Sequence, residues 1–306
     1  MTQKAKIKEN KVEETDYDVV ILGAGPAGIS AGLYAHRGGL KTLILNNPAS
    51  SSALGQAHMI SNYYGFPDGI TGKDLFDNGI MQAKNLGIEV KDEEVVDLSI
   101  FSDQVYLVKT SENEYSAKVI IIALGDKKQK PNIEGIDEYT GRGVSYCAVC
   151  DGFFYKGKNV AVIGDGKYAL NEIEHLKNVV GSVKLFTNGE DAKVECDVEI
   201  DTRKINSITG ENKVEIVNFE DGTSEKIDGI FVAIGTAGGT DLATKMGVLM
   251  DNNTIVVNEK METNVPGIYA CGNITGGLLQ VNKAAYEGAQ AGLSAIVYIK
   301  NNITKD

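Results

Sequence analysis

The order strand, glycine turn, helix, strand occurs twice in this chain. That repeat predicts an α/β fold of two dinucleotide-binding-type domains with three-layer ββα construction. Two further observations fix how they are joined. The repeats lie some 140 residues apart, too far for two halves of one sheet. Two strand-plus-glycine endings, VIIIALG at 119–125 and GIFVAIG at 229–235, mark two crossings between domains. The second domain is therefore expected inside the first. Residues 17–127 and 239–306 form one discontinuous domain, 128–238 the inserted one, and 1–16 a flexible leader.

In chain order, YDVVIL (Tyr17–Leu22) is a β-rich apolar run that meets Gly23-Ala24-Gly25-Pro26-Ala27-Gly28 and continues into the helical ISAGLYAHRGG, with a second strand over 40–45. In such a unit the first glycine allows the turn and the second lets a pyrophosphate approach the backbone at a helix N-terminus. The alternative, a turn that serves only packing, lacks a reason for the complete context. A hairpin is expected of 105–109 with 117–124. The second unit runs from KNVAVI through Gly164-Asp165-Gly166-Lys167-Tyr168-Ala169 into LNEIEHLKNV and the strand Ser182–Phe186. A further hairpin is expected of 214–219 with 229–233, and the final helix over 281–299.

Composition sets bounds on function. The chain has 306 residues, 42% apolar and 24% charged, in the range of ordinary globular domains. No apolar run approaches the roughly 20 residues that cross a bilayer, and the polar N-terminus lacks a secretion signal, so a cytoplasmic protein is expected. Thirty basic against forty-two acidic residues leave a formal net charge of −12, which opposes general binding to nucleic acid or anionic lipid. Thirty-five glycines exceed the usual ~7% and imply many tight turns and close backbone approaches.

Four cysteines, Cys147, Cys150, Cys196 and Cys271, are too few for a disulfide scaffold in a chain this long. Cys147-Ala148-Val149-Cys150 is a Cys-x-x-Cys pair, which suits two-electron thiol–disulfide exchange. The competing readings are half a zinc site or two inert thiols. Zinc needs two more ligands at paired spacing, yet the other cysteines are solitary and the histidines are His36, His58 and His175. No metal is therefore expected. Asp151 follows the pair, either as a proton donor for a leaving thiolate or as the start of an Asp-Gly turn.

YDVVILGAGPAGISAGLYA, SNYYGFPDGITGKDL, VIIIALG, GRGVSYCAVCDGFFYKGKNVAVIGDG and VPGIYACGNITGG resemble, in order, the low-molecular-weight thioredoxin reductases. The resemblance covers 17–299 and is most specific at CAVCDGFFYKGK. It implies FAD in the discontinuous domain, touched by Gly23, Gly25, Pro26, Ala27, Gly28, Gln56, Asn62, Gly125, Gly272, Asn273 and Gln280, with Asn46 at the adenosine ribose. It also implies a redox disulfide on the inserted domain, which rotates to present it alternately to flavin and to thioredoxin. Cys150 then meets the flavin, Cys147 attacks thioredoxin, Asp151 protonates the departing thiolate, and the protein is a homodimer.

The departures from the family fall mainly in the second unit. The family carries a glycine triplet, small polar residues, and then a cluster of arginines that grips the 2′-phosphate of NADPH. This chain has Asp165 within the turn, Lys167 and Tyr168 after it, and Thr187-Asn188-Gly189-Glu190-Asp191 where the arginines belong. Carboxylates at these places repel phosphate. The segment 187–206 is too short for the family's helix, and no acidic residue ends the strand at Phe186 to serve NADH. In the flavin domain the changes are milder: Gly272-Asn273 replaces a Gly-Asp pair and Leu279-Gln280 an Arg-Gln pair. The pattern is similar to ferredoxin-dependent flavin thioredoxin reductases. A ferredoxin near about −400 mV and a thioredoxin near about −270 mV differ by roughly 130 mV, about 6 kcal/mol for two electrons. The chain has no four-cysteine cluster motif, so the iron–sulfur centre belongs to the partner. An NADPH-dependent reductase with an atypical nucleotide site and a flavin-binding redox sensor without turnover are the alternatives.

Overall fold

Strand β1 (Tyr17–Leu22) is the centre of the first sheet in the computed structural model, which describes residues 15–46, 54–55, 57–102, 104–125 and 131–303. Val19, Val20, Ile21 and Leu22 are fully buried, as a continuous apolar run covered on both faces requires. Glycine turn 23–25 leads into α1 (Pro26–Arg37), then β2 (Thr42–Leu45), α2 (Gly72–Asn85) and β3 (Glu89–Lys91). Strands β4 (Val95–Ser102), β5 (Val105–Thr110) and β6 (Glu114–Ile122) form an antiparallel meander, which contains the first expected hairpin. β1 pairs in parallel with β2 and β6, and β2 with β3. Asp16 is tied to β6, its carboxylate accepting from the Ser116 N–H at 2.9 Å and hydroxyl at 2.8 Å. Residues 1–14 of the expected leader lie outside the described residues.

A second, all-parallel sheet follows. After α3 (Ile136–Tyr139) come β7 (Val144–Ser145), α4 (Ala148–Asp151), β8 (Asn159–Ile163), α5 (Lys167–Lys177), β9 (Ser182–Phe186) and β10 (Glu199–Asp201). Strands β11 (Ile205–Thr209), β12 (Ile216–Phe219) and β13 (Ser224–Lys226) make an antiparallel layer, and β14 (Gly229–Val232) completes the parallel sheet in the order β10-β9-β8-β14-β7. The second expected hairpin is thus corrected. β12 pairs with β11 and β13, whereas β14 pairs with β7 and β8. The burial pattern gives the reason: β14 is buried on both faces, while β12 alternates. The hairpin loop is Glu220-Asp221-Gly222, with Gly222 at φ +84°, and the polar β13 has no apolar signature.

Helix α6 (Gly239–Lys245) packs against β4, and a small ribbon of β15 (Met250–Asp251) and β16 (Thr254–Ile255) follows. β17 (Ile268–Ala270) then returns to the first sheet beside β6. The last helix, α7 (Val281–Asn302), lies along α1. Their backbones nearly touch: a Cβ on Gly288 would sit 2.0 Å from the Ala27 carbonyl oxygen. The two halves repeat one joint. A Cβ on Gly23 would fall 2.5 Å from the Ala123 carbonyl oxygen, and one on Gly164 2.2 Å from that of Ala233, so each first glycine presses on one of the two strand-plus-glycine endings. Among the described residues no helix is long and apolar enough to cross a membrane.

Candidate functional site

Cys147 and Cys150 form a disulfide with Cα atoms 5.3 Å apart, so both thiols of the motif are in one redox-capable bond. Cys147 precedes α4, and its Sγ accepts the Cys150 N–H at 3.1 Å. The two sulfurs differ in access: Cys147 is 7% exposed, whereas Cys150 is exposed. Val149, Phe153 and Phe154 present apolar surface beside Cys150. Ser145, on β7, organises the segment. Its hydroxyl donates to Asp151 Oδ2 at 2.6 Å and accepts the Cys147 N–H at 3.1 Å. Asp151 therefore stands within the disulfide turn, oriented by a serine that nothing in the sequence singled out.

A buried charged cluster lies behind α4. Glu172 of α5 accepts the Ala148 N–H at 2.8 Å and pairs with Lys245 of α6 at 2.6 Å. Lys245 also reaches Asp97 of β4 at 3.2 Å, and Asp97 meets His175 at 2.9 Å. Burial works against ionised Asp97, but the His175 hydrogen bond and the Lys245 ammonium overcome it and hold the carboxyl at about 2. For Lys245 burial is likewise outweighed by Glu172 and Asp97, and its pKa is raised. Glu172 and His175 read in sequence as the polar side of an amphipathic helix, so periodicity alone could not find the cluster.

At the first glycine turn the N-terminus of α1 has no side-chain cap and no acidic residue in its first turn, and a Cβ on Gly25 would meet nothing within 4 Å. Backbone N–H groups thus border open space there, the arrangement an anion fills. Asn46 is buried. Its Nδ2 donates to Asp92 at 2.6 Å, while Oδ1 is buried with no hydrogen-bond partner. The structure brings Asn62 and Gln280 together through a 3.0 Å hydrogen bond. Gly272, at φ +87°, precedes a 3₁₀ turn beginning at Asn273; its N–H donates to Glu287 at 2.8 Å and its carbonyl accepts from Lys283 Nζ at 2.8 Å. Gly125 lies just beyond β6 in the left-handed region. Gln56 lies outside the described residues.

The second glycine turn is also open at its middle glycine, a Cβ on Gly166 meeting nothing within 4 Å, but charged groups of the chain stand around it. Asp165 pairs with Lys193, whose N–H also donates to the Asp165 carbonyl at 2.8 Å. Lys167 Nζ, at the start of α5, donates to the Ser111 carbonyl of the β5–β6 turn at 2.8 Å. Glu94 stands near Asp165, and burial with that neighbouring charge pushes its carboxyl up to about 7. Tyr168 points inward and is buried. Beyond Phe186 the chain makes a turn and the short β10, and Glu190 and Asp191 are exposed. Of the three arginines in the sequence only Arg203 is near β9 and β10, and it is taken by Asp201 at its Nε, at 3.0 Å, and by Glu225 at 3.3 Å. Among the described residues no three His, Cys, Asp or Glu side chains are grouped to hold a metal.

The profile of the pyridine nucleotide-disulphide oxidoreductases matches residues 17–288, which span both glycine turns and the disulfide. The chain belongs to this family. A thioredoxin reductase of Listeria innocua is 33% identical to it over 94% of this chain and 95% of that one. Among solved structures, the atypical thioredoxin reductase TRi of Desulfovibrio vulgaris Hildenborough is 36% identical with a TM-score of 0.87, covering 94% of this chain and 99% of that one. A ferredoxin-flavin thioredoxin reductase of Clostridium acetobutylicum is 32% identical with a TM-score of 0.69, covering 93% and 98%. The chain is thus a thioredoxin reductase homologue of the low-molecular-weight type, in a group of flavoproteins that use FAD and reduce thioredoxin.

Proposed function

We propose that this flavin-dependent thioredoxin reductase takes its electrons from reduced ferredoxin, or another low-potential one-electron carrier, and not from NADPH. The observation that carries the reading is the second glycine turn, where Asp165 and Glu94 put carboxylates beside the seat a pyrophosphate would take and Lys167 is drawn to the Ser111 carbonyl. No arginine is left to grip a 2′-phosphate. The first turn, Gly23–Gly28, carries no carboxylate, and the partnerless Asn46 Oδ1 suits an adenosine ribose hydroxyl. On this reading 17–127 and 239–306 hold FAD through Gly23, Gly25, Pro26, Ala27, Gly28, Asn46, Gln56, Asn62, Gly125, Gly272, Asn273 and Gln280, and 128–238 carries the disulfide. The protein is read as a cytoplasmic homodimer.

Bound FAD supplies the conversion of single electrons into a pair. The chain's residues do the rest. Two electrons and two protons open the Cys147–Cys150 bond to two thiols, with Cys150 as the sulfur that meets the flavin. Cys147 Sγ, as thiolate, attacks one sulfur of the thioredoxin disulfide; Asp151, held by Ser145, protonates the thiolate that leaves. Cys150 then attacks the mixed disulfide, releases reduced thioredoxin and restores the original bond. Val149, Phe153 and Phe154 offer an apolar surface for that protein substrate.

Anaerobic stopped-flow spectroscopy of the flavin tests the donor. Reduced ferredoxin should bleach it rapidly, at a rate that falls as salt rises, and sub-millimolar NADPH should not. Rapid bleaching by NADPH with no response to ferredoxin overturns the proposal.

A further inference from the structure

One face of α5 carries Lys167, Asn171, Glu172 and His175, and each is bound to the first sheet or to α6. Lys167 meets the Ser111 carbonyl, Asn171 accepts from Lys109 at 3.1 Å, Glu172 pairs with Lys245, and His175 meets Asp97. The interface between the two sheets is therefore polar along this stripe. At its centre the side chains of Lys245 and Glu172 are 2% and 1% exposed. Beside it α4 packs against α5 and α6, and Ala148 lies in one apolar cluster with Ile173, Leu176, Leu242 and Ala243. That packing accompanies the burial of Cys147, while Cys150 remains exposed.

We infer that Lys245 is a positioning residue for the disulfide: through Glu172 and the Ala148 N–H it clamps the Cys147 segment against the first sheet and keeps Cys147 shut away, so that Cys147 reacts with a protein disulfide only after this ion pair separates. The chemistry favours such a clamp. Lys245 neutralises two carboxylates from different elements, Glu172 of α5 beside the second sheet and Asp97 of β4 in the first. When the stripe parts, all of these groups regain water, whereas an apolar seam would lose its stabilisation outright. Replacing Lys245 by methionine leaves Glu172 and Asp97 buried without their cation, which disfavours the closed arrangement and favours the one in which both are hydrated.

The inference rests on the proposal that Cys147 is the attacking sulfur, and the test separates the two. The FAD-loaded protein is reduced with a phosphine, pulsed with N-ethylmaleimide and mapped by peptide mass spectrometry. Cys196, half-buried and without a bond to Lys245 or Glu172, is the internal reference, and fully buried Cys271 reports general unfolding. In Lys245→Met and Glu172→Gln the labelling of Cys147 relative to Cys196 should rise tenfold or more with Cys271 still protected. Lys245→Arg should stay within twofold of wild type, as should Lys204→Met, which removes an exposed pair with Glu220. An unchanged Cys147 ratio in Lys245→Met, or Cys271 labelled in step with Cys147, overturns the inference. If Cys147 is not the attacking sulfur, Cys150→Ser with Lys245 intact fails to trap thioredoxin, and the labelling result stands apart from that failure.

Discussion

At the residue scale the disulfide turn gives two chemically identical side chains different surroundings. Cys147 heads α4 and is buried, while Cys150 is exposed and gives its backbone N–H to the Cys147 sulfur. On the proposed mechanism Cys147 is the attacking sulfur, and a hydrogen bond to sulfur is of the kind that favours a thiolate. Cys150→Ser should therefore accumulate a covalent complex with thioredoxin, visible as a higher-mass band on non-reducing gels, and Cys147→Ser should accumulate none. Disulfide-reducing turnover that survives both substitutions would place the chemistry elsewhere. The pair and Asp151 were legible in the sequence because their spacing is itself the chemistry. Ser145 and Glu172 were not, since a serine two residues before the motif and a glutamate within a helix carry no local signal of what they bond.

At the scale of elements, the two glycine turns share a joint and an open middle glycine, Gly25 and Gly166, and differ in the charged groups around it. Gly25 borders empty space, whereas a Cβ on Gly28 would lie 1.8 Å from the Gly23 carbonyl oxygen. The two glycines thus answer to different demands, ligand approach and helix packing. Gly25→Val should fold with a melting profile close to that of wild-type apoprotein, yet remain colourless after incubation with FAD. Gly28→Ala should lose about 1–3 kcal/mol or more of stability in urea unfolding, with the strand and helix forced apart. Normal flavin uptake by Gly25→Val would refute the assignment of that turn to the pyrophosphate. Most elements follow directly from periodicity, including both turns and α7. The second hairpin did not, because hydropathy ranks the buried β14 above the polar β13 although β13 is the true partner of β12.

At the scale of the whole molecule, the sheets meet across carboxylates as well as cations. Glu94 precedes β4 and Asp165 lies in the second glycine turn; burial and the Asp165 charge push Glu94 up to about 7, with Lys167 opposing in part. The folded value lies above the ordinary 4.5, so the stability that protonated Glu94 contributes is complete below about pH 4.5 and lost as pH rises through about 7. Between pH 6 and 8.5 the wild type should lose on the order of 1 kcal/mol more than Glu94→Gln, measured by urea unfolding at the two pH values. Equal losses in the two proteins would show that Glu94 titrates normally.

The amino-acid sequence by itself determined the fold class, the family, the disulfide motif and the departures in the second glycine turn on which the proposed donor rests. Each of these is written in local spacing: glycines where backbone must approach backbone or ligand, two cysteines three apart, acidic residues where arginines would stand. Tertiary structure alone decided the company those residues keep. Lys245 and Asp97 are 148 positions apart, yet both belong to one buried cluster with Glu172, and Lys167 finds its partner in a turn 56 positions earlier. Such pairings depend on how two sheets face one another, and a polar helix face looks the same in sequence whether water or a second sheet covers it.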